Sequence, residues 1–98
     1  MKRLFISQPM NGKTDEEIKK ERDSIIALCE GRYGGVEVID SYFEGAPHDA
    51  QPLWFLGKSL QLLSTADIAY FADNWQDYRG CRIEHTCAGE YGIEIVRD

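Results

Sequence analysis

The chain has 98 residues, 43% of them hydrophobic, and a formal net charge of −6. This length and composition predict a single compact domain over residues 1–98 and argue against a disordered chain. The acidic balance argues against a nucleic-acid polymer as partner, and the lack of any long apolar run in the sequence argues against a membrane.

The cysteines and the N-terminal segment bear on the cellular compartment. Cys29, Cys81 and Cys87 are odd in number and lack the spacing of a disulfide framework, which favours a reduced, cytoplasmic setting. The short apolar stretch before Pro9 predicts a strand rather than a signal peptide.

The first third of the sequence predicts a strand followed by a helix. Residues 2–6 are mostly apolar and predict strand one, which a loop containing proline and glycine follows. Thr14 with Glu17 three residues later has the pattern of a capping box, so a helix should begin there. We expect this helix to end at Gly31 or Gly34.

The middle of the sequence predicts a second strand and a second helix. Residues 36–39 predict strand two, and residues 41–51 predict a polar loop. Pro52 suits the first turn of a helix. The leucines expected to face the sheet from this helix are Leu53, Leu56, Leu60 and Leu63.

The last third repeats the alternation of strand and helix. Residues 68–72 and 93–96 predict strands three and four, with helix three at residues 80–91 between them. Asp67, directly before strand three, is expected to have a structural role. Alternating strands and helices predict an α/β fold with a four-stranded parallel sheet, for which we expect the strand order 2-1-3-4.

This strand order predicts where a ligand would bind, because open α/β sheets bind ligands beyond the carboxyl ends of their strands. There the loops at residues 7–12 and 73–80 should face one crevice, with residues 40–49 at its side. Glu84, near the start of helix three, is the best candidate for chemistry. A carboxylate can attack the anomeric carbon of a sugar and form a glycosyl-enzyme ester. The alternative is a surface glutamate that caps its own helix.

The two loops supply the candidate binding residues. Residues of the first loop that can offer backbone N–H groups or an amide to a sugar or phosphate are Ser7, Gln8, Pro9, Met10, Asn11 and Gly12. They match no nucleotide-binding motif, so an ordinary βα loop is the alternative. In the second loop, Arg79 can hold a phosphate or orient the glutamate, and Gly80 lets the backbone approach a ligand. An exposed arginine beside a turn glycine is the alternative. Trp75 and Tyr78 can stack on a base or shield the site.

Two further readings concern the cysteines of helix three. The C-x3-H-x-C pattern that begins at Cys81 matches no standard zinc motif, and a helix would turn its second cysteine away from the other two ligands. We therefore predict no metal site. Cys81 itself is a minor alternative nucleophile, because a helix N-terminus lowers the pKa of a thiol.

Three segments of the sequence carry a family resemblance. They are FISQPMNG at residues 5–12, SLQLLSTAD at residues 59–67, and RGCRIE at residues 79–84 with Ala88. In combination they resemble the nucleoside 2-deoxyribosyltransferase superfamily, in particular its short DUF4406-like branch, over nearly the whole chain. The resemblance implies a flavodoxin-like or Rossmann-like three-layer domain. Members cleave the N-glycosidic bond of deoxynucleosides or deoxynucleotides and pass the sugar to another base or to water.

The resemblance also implies roles for residues and partners. It places the nucleophilic glutamate on Glu84 and the loop that embraces the ligand on residues 7–12. It implies a small nucleoside or nucleotide as partner and a homodimer or larger homo-oligomer, in which a neighbouring chain completes the pocket. Trp54 and Phe55 are expected in the core or at a subunit contact. We expect no cofactor.

Two positions depart from the family pattern. Phe5 stands where family enzymes carry a tyrosine whose hydroxyl contacts the glutamate, and Ser59 stands where they carry an aspartate near the base or sugar. We expect Ser59, with Asn11, to bind sugar hydroxyls. The first hypothesis is an enzyme, either a nucleoside deoxyribosyltransferase or a nucleotide N-glycosidase. The others are a non-catalytic nucleotide- or nucleoside-binding module on the same fold, and an interaction domain with an empty crevice.

Overall fold

The computed structural model describes residues 1–41 and 46–97. Within these ranges the strands are β1 (Lys2–Ser7), β2 (Val36–Val38), β3 (Ile68–Phe71) and β4 (Glu94–Ile95), and the helices are α1 (Asp15–Tyr33), α2 (Pro52–Leu63) and α3 (Arg79–Glu90), with a 3-10 turn at Trp75–Asp77. The strands form one sheet in the order β2-β1-β3-β4, and every pair is parallel. The predicted α/β class, parallel sheet and strand order are confirmed.

The central strand, β1, sets the geometry of the sheet. It pairs with β2 on one side and with β3 on the other, where Leu4 stands opposite Ile68 and Ser7 opposite Phe71. Successive side chains of a strand point to opposite faces, so Phe5 and Ser7 share one face. β1 therefore delivers Ser7 to its own carboxyl end on the face that Phe5 occupies.

Each face of the sheet carries its own core. α1 packs Ile25 and Cys29 onto one face. On the opposite face, α2 contributes Leu63 and α3 contributes Ala88 to the core around Phe5. The molecule thus has three layers, with helices on both sides of the sheet, which is the arrangement of a Rossmann-like or flavodoxin-like domain.

α1 begins and ends at the predicted signals. Thr14 Oγ1 accepts the Glu17 N–H at 3.1 Å, and Glu17 Oε1 accepts the Thr14 N–H at 3.2 Å, so the capping box is confirmed. Of the two predicted ends, Gly34 is correct: its φ of 78° is left-handed, and its N–H donates to Glu30 O at 2.9 Å. α1 is the longest helix, yet none of the helices within residues 1–41 and 46–97 is long and apolar enough to cross a membrane.

The predicted inward face of α2 is only partly correct. Leu63 is 2% exposed, and Leu60 packs against the same core, but Leu53 is 78% exposed. The prediction for Leu53 is wrong because the first turn of α2 borders a cavity between α2 and α3 rather than the core on the sheet. Leu56 lines that cavity too.

The remaining boundaries agree closely with the sequence predictions. Every strand boundary lies within one residue of the predicted position, and α3 begins at Arg79 rather than Gly80. Asp67 has the predicted structural role, because its Oδ2 accepts the Arg3 N–H at 2.8 Å. The polar loop predicted at residues 41–51 includes residues 42–45, which lie outside the described residues.

Candidate functional site

Glu84 is a buried carboxylate near the start of α3, with 8% of its surface exposed. Ser7, the last residue of β1, donates a hydrogen bond from Oγ to Glu84 Oε1 at 2.6 Å. A hydroxyl hydrogen bond to a carboxylate at this distance is among the stronger kinds in proteins. The central strand therefore holds the carboxylate, and neither its burial nor its partner is that of a surface glutamate capping its own helix.

The electrostatic surroundings of Glu84 act in two directions. Burial raises the pKa of Glu84 above its ordinary value, because a carboxylate loses solvation inside the protein. The hydroxyls of Ser7 and Ser59 act in the opposite direction without cancelling the effect of burial. A buried carboxyl with a shifted pKa at the wall of a cleft is a candidate for chemistry on physical grounds.

Two cavities meet at Glu84. The first, which we call the α2–α3 cavity, has a volume of about 730 Å³ and lies between the N-terminal turns of α2 and α3. The second, which we call the β1-loop cavity, has a volume of about 750 Å³ and is bounded by the loop after β1, by α1 and by the end of β2. Residues that line both are Phe55, Ser59, Gly80 and Glu84. A ligand that filled both cavities would pass directly over the carboxylate.

The linings of the two cavities differ in chemistry. Apart from Glu84, Arg79 is the charged residue of the α2–α3 cavity within the described part of the chain, and most of the lining there is apolar. Charged residues that line the β1-loop cavity from α1 and from the end of β2 are Asp15, Lys19, Arg22 and Asp40. One ligand lying across both would therefore meet a single cation on one side of Glu84 and charges of both signs on the other.

The helix ends around the α2–α3 cavity favour negative charge. α1 carries three acidic residues in its first turn and a side-chain cap, which already offset the positive end of its dipole. The N-cap residues of α2 and α3 are Gln51 and Tyr78, and neither makes a capping hydrogen bond with its side chain. Neither helix has an acidic residue in its first turn. Within the described residues, Arg79 has no hydrogen bond or ion pair with a protein group. The two helix ends and this cation border the same cavity.

The first predicted loop contributes its leading residues to the site. The predicted residues that line the β1-loop cavity are Ser7, Gln8, Pro9 and Met10. Asn11 and Gly12 line neither cavity as the described residues form them. Asn11 connects the two loops instead, because its carbonyl oxygen accepts the Tyr78 hydroxyl at 3.5 Å.

Of the residues predicted in the second loop, some line a cavity and one does not. Tyr78 lines the β1-loop cavity and Arg79 the α2–α3 cavity, but Trp75 lines neither. The ring of Trp75 stacks on His85 at a centroid distance of 4.0 Å and lies 5.7 Å from the ring of Phe71. Burial, with the charge of Arg97 adding to it, lowers the pKa of His85, which favours a neutral ring under the tryptophan. The structure thus gives Trp75 a packing role.

Cys81 occupies the site but lacks the properties of a nucleophile. It lies one helical turn before Glu84 and lines the β1-loop cavity. Burial raises the pKa of the Cys81 thiol and the charge of Glu84 raises it further, whereas a hydrogen bond with Ser7 lowers it. The predicted lowering at a helix N-terminus is therefore outweighed, and the thiol stays protonated at neutral pH. Among residues 1–41 and 46–97, no three His, Cys, Asp or Glu side chains form a group that could hold a metal.

Phe55 is a cavity residue that the sequence did not assign to the site. It was expected in the core or at a subunit contact, and the structure excludes the core, because Phe55 is 40% exposed and lines both cavities beside Ser59. Its position in the second turn of α2, on the side of the cavities where Leu53 and Leu56 also lie, was the available signal. No protein-family model, curated protein or solved structure matches the chain. The family resemblance stays a prediction, and the functional argument depends on the geometry of the site.

Proposed function

We propose that this protein is an enzyme that cleaves the N-glycosidic bond of a deoxynucleoside or its 5′-monophosphate, with Glu84 as the nucleophile. The observation that carries the proposal is a buried carboxylate, held by Ser7 at 2.6 Å, at the junction of two cavities. The resemblance to nucleoside 2-deoxyribosyltransferases, which implies the same role for this glutamate, supports it.

The proposed chemistry proceeds in two displacements at the anomeric carbon. A carboxylate oxygen of Glu84 forms a bond to C1′ while the bond from C1′ to the base nitrogen breaks. The electron pair leaves with that nitrogen, which gains a proton on the way to the free base. Water or a second base then attacks C1′ and gives up a proton to solvent, which balances the proton taken up by the leaving base; the ester bond breaks, and the carboxylate is regenerated.

The hydrogen bonds of Glu84 favour catalysis over simple binding. Phe5 cannot supply the hydroxyl that the resemblance places near the glutamate, but Ser7 lies two residues later on the same face of β1 and makes that contact. The Ser59 hydroxyl also lowers the pKa of Glu84. Two hydroxyls thus support the carboxylate where the family pattern has a tyrosine and an aspartate.

The linings of the cavities favour one orientation of the substrate. The sugar would lie over Ser59 and Glu84, where the cavities meet. A 5′-phosphate would extend into the α2–α3 cavity, towards Arg79 and the two uncapped helix ends. The base would enter the β1-loop cavity beside Tyr78, which lines it while Trp75 does not.

The remaining proposals concern compartment and assembly. None of the three cysteines, all of which lie within the described residues, forms a disulfide, which supports the proposed cytoplasmic setting. Leu53 and Phe55 are exposed at the α2–α3 cavity, and a second copy of the chain that covered them would form the proposed homodimer. Sedimentation velocity of the wild type and of a Leu53→Lys variant tests this, since the variant should shift the dimer towards monomer. A wild type that stays monomeric at high concentration would contradict the dimer.

The test of the proposed function is turnover by the wild type and by Glu84→Gln, with Glu90→Gln as the matched control. Glu90 is an exposed glutamate at the other end of α3. Free base, or an exchanged nucleoside when an acceptor base is added, would be measured by chromatography over a panel of deoxynucleosides and their monophosphates. We expect Glu84→Gln to lower turnover by at least about 1,000-fold, because an amide cannot form the ester.

The outcomes separate the enzyme from a binding module. Glu90→Gln should keep the wild-type rate, and both variants should keep the fold, because the glutamine oxygen at position 84 still accepts from Ser7. Equal rates in the wild type and Glu84→Gln would remove Glu84 from the mechanism. Saturable binding by the wild type without product would favour the non-catalytic module.

A further inference from the structure

The segment between β1 and α1, residues 8–14, is a part of the site wall that lies outside the strands and helices. It follows Ser7 directly, and its first residues line the β1-loop cavity. Connecting segments are usually more mobile than the elements they join. Ser7 itself is paired with β3, so the contacts that fix this segment act together with that pairing in setting how accurately the Ser7 hydroxyl meets Glu84.

One carboxylate on α1 fixes both ends of this segment. Glu21 Oε1 accepts a hydrogen bond from Gln8 Nε2 at 2.9 Å and lies 3.2 Å from Lys13 Nζ. Between these ends, the Lys13 N–H donates to the Met10 carbonyl oxygen at 3.2 Å and closes a turn. Gln8 and Lys13 thus meet at a single oxygen atom.

The ion pair between Lys13 and Glu21 is less exposed than an ordinary surface ion pair and therefore holds its two residues together more strongly. The side chains of Lys13 and Glu21 are 27% and 26% exposed, whereas those of Lys19 and Asp23, which pair along the same helix, are 79% and 62% exposed. A half-buried pair is less screened by solvent and salt than an exposed one.

The amide of Gln8 depends on Glu21 for its orientation. Its Nε2 faces two acceptors, Glu21 Oε1 and the Ile18 carbonyl oxygen, both at 2.9 Å, so the nitrogen must point towards α1. Its Oε1 is buried, and no donor within the described residues contacts it. An unpaired buried oxygen is unfavourable. Removing Glu21 would therefore favour conformations in which the amide turns away from α1.

We propose that Glu21 is a positioning residue for Glu84: it fastens the segment after β1 to α1 and thereby keeps Ser7 within hydrogen-bonding distance of the carboxylate. Glu21 lines neither the α2–α3 cavity nor the β1-loop cavity, so it acts through Gln8 and Lys13. The effect on rate rests on the proposed function, but the effect on Glu84 does not.

The test compares Glu21→Ala with Glu21→Gln, and with Asp23→Ala as the matched control on the same helix. Two quantities are measured: kcat/KM for a substrate of the wild type, and the pH at which the Glu84 carboxyl titrates, by NMR of carbon-13-labelled glutamate. We expect Glu21→Ala to lower kcat/KM about 10- to 100-fold, since small displacements in an active site have effects of this size. Glu21→Ala should also raise the pH at which Glu84 titrates, because a weaker hydrogen bond from Ser7 stabilises the ionised carboxylate less.

The control variants make the expected pattern specific. Glu21→Gln keeps an acceptor oxygen for Gln8 and Lys13, so it should stay within about threefold of the wild-type kcat/KM, as should Asp23→Ala. Lys13→Ala removes one of the two contacts and should shift Glu84 in the same direction by less. The other charged or titratable groups that line the cavities with Glu84 remain in every variant. They are Asp15, Lys19, Arg22 and Asp40 in the β1-loop cavity, and Tyr78, Arg79 and Cys81 on or beside α3.

The outcomes distinguish failure of this inference from failure of the proposed function. If Glu21→Ala loses thermal stability while Glu84 titrates as in the wild type, Glu21 is structural only and the inference is overturned. If the wild type turns over no substrate, the proposed function fails, and the titration of Glu84 in the four variants still decides the role of Glu21.

Discussion

The loops that follow β1 and β3 leave the same edge of the sheet, yet their side chains reach different surroundings. The first begins at Ser7, which bonds Glu84, and its next residues line the β1-loop cavity. The second turns Trp75 away onto His85 and returns to the cavities only at Tyr78 and Arg79. Residues at the end of a strand or the start of a helix take their position from the sheet, whereas a residue within a loop packs where its own side chain is best buried.

The contrast between Ser7 and Trp75 has a physical origin. Ser7 is 2% exposed, and its carbonyl oxygen accepts the N–H of Ala72, the residue after β3, at 2.9 Å, so pairing with the neighbouring strand holds its backbone. Trp75 has no strand to fix it, and its large ring gains more from contact with His85 and Phe71 than from an open cavity. The comparison predicts that changes at Ser7 act on turnover and changes at Trp75 act on stability.

Among the changes that test this comparison, the largest effect is expected from Ser7→Ala. The variant loses the hydrogen bond to the Glu84 carboxylate, and bonds to charged groups contribute about 1.5–3 kcal/mol, so kcat/KM should fall about 10- to 100-fold. The Glu84 carboxyl should also titrate at a higher pH, because the bond from Ser7 lowers its pKa. Steady-state kinetics beside Ser24→Ala, an exposed serine of α1, checks this. Wild-type kinetics in Ser7→Ala would show that the contact does not matter for catalysis.

A smaller effect, on a different quantity, is expected from Trp75→Ala. Trp75 is half-buried, so its removal should lower the free energy of unfolding by about 2 kcal/mol, less than a fully buried tryptophan would lose. The KM should stay within about twofold, because Trp75 lines neither cavity, while Tyr78→Ala should raise it more. Urea unfolding and substrate titration of the two variants measure both quantities. A larger rise of KM in Trp75→Ala than in Tyr78→Ala would place the base on the tryptophan.

Local patterns were sufficient to predict most of the fold. The capping box at Thr14, the glycine at Gly34 and the alternation of apolar runs are signals within a few residues of the structure they specify. The local pattern also predicted that Glu84 lies near the start of a helix, and the strand order predicted that this helix start lies at the ligand-binding edge of the sheet. The bond between Ser7 and Glu84 joins residues 77 positions apart, so no local pattern contains it. It depends on the register of β1 against β3.

The predictions that differ from the structure have a shared cause. Leu53 has the helical spacing of a core residue but lies in the turn of α2 that borders a cavity, and the spacing cannot show where the sheet ends. Trp75 packs on His85 rather than lining a cavity, and Phe55 lines both cavities rather than the core, since an aromatic side chain is suited to either environment. Such choices depend on neighbours from other elements, here His85 of α3 for Trp75 and the first turn of α3, across the cavity, for Phe55.

The smallest predicted effect concerns stability against pH, and it tests whether the site strains the fold. Burial raises the pKa of Glu84 above that of the unfolded chain. Below the pKa of Glu84 in the unfolded chain, the residue is protonated in both the folded and the unfolded state, and its ionisation does not change the free energy of unfolding. As pH rises past that value, the unfolded chain ionises first, so the folded state loses stability until the pH has passed the raised pKa. Glu84→Gln removes this loss.

Thermal melting of the wild type and Glu84→Gln between acidic and neutral pH measures the difference. The two curves should lie close together at the acidic end and separate as pH rises, with the variant melting a few degrees higher near neutrality. Glu90→Gln, an exposed change on the same helix, should follow the wild type throughout. Parallel curves for the wild type and Glu84→Gln would mean that the carboxylate is adequately solvated when ionised. In that case Ser7 and Ser59 would offset its burial completely, and Glu84 would be held by the fold without any loss of stability at neutral pH.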